Sequence, residues 1–111
     1  MTVISTVHFL RLLKKLLKKY PSLKNDLAEL GERLESSPFQ GIPLGKDCFK
    51  IRLSITSKGR GKSGGGRVIT CVKIVNDTVY LLTLYDKSEK EDLEDNELDN
   101  LLRAAGLLPE K

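Results

Sequence analysis

Residues 49–85 read FKIRLSITSKGRGKSGGGRVITCVKIVNDTVYLLTLY, and this stretch decides the fold. Its first eight residues alternate. Phe49, Ile51, Leu53 and Ile55 point one way, and Lys50, Arg52, Ser54 and Thr56 point the other. That is the period of a strand with one face in a core and one face polar. Residues 67–75 (RVITCVKIV) and 78–85 (TVYLLTLY) are apolar at both parities, as strands covered on both faces are. Asn76 and Asp77 tolerate positive φ and suit a tight turn between them. Short links make the three strands an antiparallel meander.

Upstream, the period changes to that of a helix. Phe9, Leu12, Leu13, Leu16, Leu17 and Tyr20 form one apolar stripe, with Arg11, Lys14, Lys15 and Lys18 on the opposite face. Pro21 opens a second helix, where its missing N–H is harmless. Leu23, Leu27, Leu30 and Leu34 then recur at steps of 4, 3 and 4, so residues 7–36 read as a helical hairpin. The basic face of the first helix is read as the solvated side of a core-facing helix, not as a membrane-surface element. Residues 36–47 (SSPFQGIPLGKD) hold two prolines and two glycines and read as a connecting loop. Residues 2–5 form a short first strand. Downstream, Leu98, Leu101, Leu102 and Ala105 mark a C-terminal helix that Gly106 and Pro109 stop.

The expected order is therefore β-α-α-β-β-β-α. The fold class is α+β, an antiparallel sheet with an N-terminal helical hairpin and a C-terminal helix. One domain, residues 1–111, fits the length. The hairpin of helices covers one face of the sheet, and the other stays partly open with Lys50 and Arg52 on it.

Composition narrows the function. No apolar run is long enough to span a bilayer, and the N-terminus lacks the pattern of a signal peptide. Cys48 and Cys71 are the only cysteines and His8 the only histidine, so no zinc site is expected, and the thiols read as small buried hydrophobes of a reduced, cytoplasmic protein. The net charge of +4 hides a segregated pattern. Residues 48–75 carry Lys50, Arg52, Lys58, Arg60, Lys62, Arg67 and Lys73 with no acid, whereas residues 76–111 carry ten acids against four bases. Such a split points the basic part at a polyanion and leaves the acidic tail facing elsewhere.

The segment SKGRGKSGGGR (57–67) sharpens that reading. Gly61-Lys62-Ser63 resembles the end of a phosphate-binding P-loop, but the first glycine of that signature would fall on Thr56, and a strand follows instead of a helix. A plain flexible linker explains the glycines and not the cations. A basic hairpin tip that tracks a phosphate backbone explains both, because glycines admit close approach and Lys and Arg neutralise phosphates.

The segment CFKIRLSITSKGRGKSGGGRVITCVKIVNDTVYLLTLYDKSEKEDL resembles the RelE-type toxins of bacterial toxin–antitoxin modules, in particular the HigB-like branch of the RelE/ParE superfamily. Weaker likeness runs upstream through LLKKYPSLKNDL and SSPFQGIPLG. The resemblance implies the same β-α-α-β-β-β-α fold. It implies an endoribonuclease acting on mRNA in the ribosomal A site, held inactive by a cognate antitoxin protein, and working without metal or cofactor. By the resemblance, Lys50 and Arg52 supply a base or charge stabiliser, Arg67 clamps the phosphate and Lys87 protonates the leaving group. Tyr85 is the nearest substitute for the family's catalytic tyrosine, whose place falls on Leu93. Lys58, Arg60, Lys62, Lys73 and Lys90 would bind RNA around them. A two-residue turn at 76–77 pairs position 67 with 86 and puts Tyr85 on the far face; a bulge or an early strand end brings it back. His8 precedes the first helix, remote from the cationic face, and reads as structural. Alternative readings are a ParE-like inhibitor of DNA gyrase and a non-catalytic RNA- or ribosome-binding module.

Overall fold

The computed structural model describes residues 1–58 and 65–108. The order is β1 (Thr2–Ser5), α1 (Val7–Lys19), α2 (Leu23–Ser36), β2 (Ile42–Gly45), β3 (Cys48–Leu53), β4 (Gly66–Lys73), β5 (Thr78–Asp86) and α3 (Glu97–Ala104). One five-stranded sheet has the order β1-β5-β4-β3-β2. All neighbours are antiparallel except β1, which pairs parallel with β5, Thr2 opposite Thr78.

The α1–α2 pair packs on one face. Phe9, Leu23, Leu30 and Leu34 are 0–1% exposed and meet Ile51, Leu53, Val68, Val72, Val79 and Leu84 from the sheet. Burying a leucine of this kind contributes about 1.5–3 kcal/mol. Thr6 caps α1: its hydroxyl accepts from the Phe9 N–H at 3.2 Å and donates to the Leu81 carbonyl at 2.9 Å. The cap therefore ties the helix start to the sheet. On the opposite face α3 lays Leu101 and Leu102 over Cys48, Ile69, Cys71, Leu82 and Tyr85. Both faces of β4 and β5 are covered, which is why their sequences show no alternation.

Two features differ from the sequence expectation. Residues 42–45 are not loop but an edge strand, turned back into β3 by Lys46 (φ 55°) and Asp47 (φ 65°). Both centres of that turn have positive φ, the type I′ arrangement that suits hairpin twist. Pro43 is tolerated because an edge strand leaves one side of the backbone unpaired.

The second difference is the β4–β5 turn. It is wider than two residues: a 3₁₀ turn takes in Ile74–Asn76, and Asp77 adopts the left-handed conformation at φ 51°. Lys73 therefore pairs with Thr78, and a bulge places the extra residue Leu82 between Thr70↔Leu81 and Ile69↔Thr83. The result is that Arg67 faces Tyr85 and not Asp86.

Candidate nucleic-acid site

The alternation of β3 sends Lys50 and Arg52 away from α1 and α2. The ladder then sets Arg52 opposite Arg67, and Arg67 opposite Tyr85, as one rung across β3, β4 and β5. Lys87 follows directly after β5. Its backbone N–H donates to the Gly65 carbonyl at 3.1 Å, which pins it beside the start of β4. Lys50, Arg52, Arg67 and Lys87 thus line one recess of about 260 Å³, closed by Gly41 and Ile42 from the edge strand. Gly41 has φ +92°, and a Cβ there would stand 2.3 Å from the Lys50 carbonyl oxygen, so only glycine lets this wall come so close.

The four cations differ in setting. Arg67 is 9% exposed, and its guanidinium donates to the Gly66 carbonyl at 2.9 Å. Arg52 is exposed. Lys50 lies 3.3 Å from the Asp92 carboxylate and Lys87 3.6 Å from Glu91. The Leu93 backbone N–H, with Lys50 beyond it, holds Asp92 below the ordinary carboxylate value despite some desolvation. Charge segregation in the sequence suggests an acidic segment turned away from the basic face. The fold instead brings Glu91 and Asp92 onto its rim, and sequence reasoning missed both.

Tyr85 shares the face of Arg67 but not its opening. It is 8% exposed beneath α3, and its hydroxyl has no hydrogen-bond partner among the described residues. Burial pushes its pKa up, and Asp92 adds to that. The ring is packed in the α3 layer, so it is not presented for stacking on a base. Lys90, expected to bind RNA, lies 5.5 Å from the centre of that ring and grips Glu97 at 2.6 and 2.7 Å.

Lys58 also departs from expectation. Its side chain is 11% exposed and its ammonium sits 2.7 Å from Asp86. Asp86 is a buried hub that accepts from Tyr20 Oη at 2.5 Å and from the Ser88 hydroxyl and N–H at 2.7 and 3.0 Å. Burial alone would raise its pKa. The Lys58 ammonium and the Tyr20 and Ser88 hydrogen bonds outweigh that and hold it well below the usual range. Just upstream, Ser57 and Ser22 exchange reciprocal 2.8 Å hydrogen bonds, and Asp26 accepts from the Thr56 N–H and hydroxyl at 3.1 and 2.7 Å. Lys58 is therefore an internal tie at the root of the glycine-rich segment. Its only sequence signal is an acid, Asp86, ending an apolar strand.

Lys73 stands at the other end of β4 beside Asp47, at 3.3 Å, and does not reach the recess. Arg60 and Lys62 lie outside the described residues. His8 is remote from the recess; it lines a separate cavity of about 480 Å³ with Arg11, Tyr80 and Leu101, and burial, then Arg11, lowers its pKa. Among the described residues no group of three or more His, Cys, Asp or Glu side chains is placed to hold a metal ion. No helix there is long and apolar enough to cross a membrane.

What the arrangement offers is a small concave site lined by four converging cations, with Asp92 and Glu91 at its rim. It suits one phosphodiester group.

A family profile described as the RelE toxin of the RelE/RelB toxin–antitoxin system matches residues 3–110. Among solved structures, the toxin–antitoxin complex RelBE of E. coli matches with a TM-score of 0.53 at 22% identity, over 77% of this chain and 94% of that one. A doubly substituted E. coli RelE in the free state matches at 0.52 and 20% identity, over 95% and 93% of the two chains. Isolated E. coli RelE matches at 0.53 and 19% identity, over 92% and 96%. At these identities the structural likeness establishes the fold.

Proposed function

Because this chain belongs to the RelE family of toxins, we propose that it is an endoribonuclease that cuts mRNA in the ribosomal A site. The observation that carries this reading is the convergence of Lys50, Arg52, Arg67 and Lys87 on one recess of about 260 Å³. In the proposed step the ribose 2′-hydroxyl attacks the adjacent phosphorus and the bond to the 5′-oxygen of the next nucleotide breaks. A 2′,3′-cyclic phosphate and a 5′-hydroxyl remain. The reaction needs a proton acceptor for the 2′-hydroxyl, cations for the charge on the phosphorane and a proton donor for the leaving oxygen. None of these requires a metal.

Arg67 is assigned the phosphate clamp. Its guanidinium is buried and oriented by the Gly66 carbonyl, and a planar fork binds two oxygens at once. Arg52, opposite it and exposed, meets the same phosphate from the solvent side. Lys50 serves as proton acceptor or charge stabiliser, and Lys87 donates to the leaving oxygen. Substrate binding displaces Asp92 from Lys50 and Glu91 from Lys87, since a phosphate competes for the same ammonium groups. Tyr85, packed beneath α3 on the strand beside Arg67, takes no part in the proposed chemistry. The E. coli RelBE complex supports the further reading that a cognate antitoxin protein neutralises the toxin.

The test is expression in a bacterial host followed by mapping of mRNA 5′-ends by primer extension. New ends inside translated codons are expected for the wild-type chain and none for Arg67→Ala. Growth arrest without new ends would overturn the nuclease reading and favour a toxin that only occupies its target.

A further inference from the structure

Cys48 and Cys71 face each other directly across the β3–β4 ladder. The backbone hydrogen bonds define the kind of pair. The Val72 N–H donates to the Asp47 carbonyl at 2.8 Å, so this bond lies just outside the pair. In an antiparallel ladder that marks a non-hydrogen-bonded pair, with Cα atoms about 4.5 Å apart and side chains at their closest. A disulfide spans Cα separations of about 4.4–6.8 Å, so the bridge needs no movement of either strand. Both side chains lie on the α3 face, 1% and 0% exposed, and both sulfurs rest against the Lys46 carbonyl oxygen at 3.3 and 3.9 Å.

We propose that Cys48 and Cys71 are a dithiol modification site, which a small peroxide converts to a disulfide across β3 and β4.

In the first step the thiolate of one cysteine attacks one peroxide oxygen. The O–O bond breaks, hydroxide leaves and takes up a proton, and that cysteine becomes a sulfenic acid. In the second, the sulfur of the facing cysteine attacks the oxidised sulfur, the S–O bond breaks, and the hydroxyl leaves as water with the proton of the second thiol. Two electrons pass from the thiol pair to one hydrogen peroxide, which ends as two waters.

The bridge would enclose the segment that carries Lys50, Arg52 and Arg67. It would sit at the open end of the β3–β4 ladder, with the Arg52–Arg67 rung at the end where the chain passes from β3 to β4. Oxidation therefore constrains the unfolded chain while leaving the recess as it is. The inference does not depend on the nuclease reading.

The experiment treats the reduced wild-type chain with hydrogen peroxide, then unfolds it and alkylates free thiols. The expected product has lost two hydrogen atoms, takes up no alkylating agent and yields a peptide joined through Cys48 and Cys71. Its melting midpoint rises by about 10 °C. Two alkylatable thiols after treatment would overturn the proposal, and so would added oxygen at either cysteine without a joined peptide.

Discussion

Arg67 and Asp86 sit one residue from a shared rung, yet they do different work. Arg67→Ala should reduce RNA cleavage about 10²–10³-fold, the scale of losing one donor to a developing oxyanion. Its circular dichroism should match the wild type, and loss of the folded spectrum would show a structural role instead. Asp86→Asn should act on stability. It leaves the Lys58 ammonium buried without its counter-charge, which costs about 3–5 kcal/mol and is measured by urea unfolding. The pH dependence follows from the depressed carboxyl of Asp86. Its stabilisation is complete above the unfolded carboxylate value of about 3.9 and is lost as pH falls from there toward the folded value. Acid unfolding of the wild type should therefore steepen below about pH 4, and Asp86→Asn should flatten that limb. Lys50, Arg52, Arg67 and Lys87 were legible as a cationic group because period-two alternation and strand ends carry them. Lys58 was not, since a lysine that closes on a buried acid looks, in sequence, like a lysine in a basic loop.

Elements were legible where periodicity is long and illegible where it is short. The leucine stripes predict both N-terminal helices, and β3, β4 and β5 stand where apolar patterning puts them. The edge strand β2 spans four residues with a proline and a glycine, too short to show a period, and the same residue types punctuate loops. The β4–β5 turn misled for the opposite reason. Ile74 and Val75 look like strand and are 70% and 97% exposed in the turn. Their exclusion from the ladder, together with the Leu82 bulge, sets Tyr85 beside Arg67. Gly41→Ala belongs to the same scale. Its methyl group meets the Lys50 carbonyl, so β2 must shift away from β3. The expected cost is about 1–3 kcal/mol of stability, with a fall in RNA affinity as the recess wall withdraws.

Over the whole molecule, the segregated charges fold back on one another. Lys50 meets Asp92, Lys46 meets Asp99 and Lys19 meets Glu89. Sequence separation concealed this, because a linear count of charge says nothing about which segments share a face. Neutralising the rim with Glu91→Gln and Asp92→Asn together should tighten single-stranded RNA binding. For the wild type, log K against log salt should fall with a slope of about −0.7 or steeper, as expected for the one phosphate that the recess holds. A flat salt response would remove phosphate binding from the account. The parallel pairing of β1 with β5 has a consequence for how the polypeptide is made. Thr2–Ser5 is made before its hydrogen-bonding partner, Thr78–Leu81, and three other strands are translated between them. That long-range pairing closes late. The nascent chain consequently cannot complete its sheet until β5 has been made, so the rung that carries Arg67 stays at an open sheet edge until then.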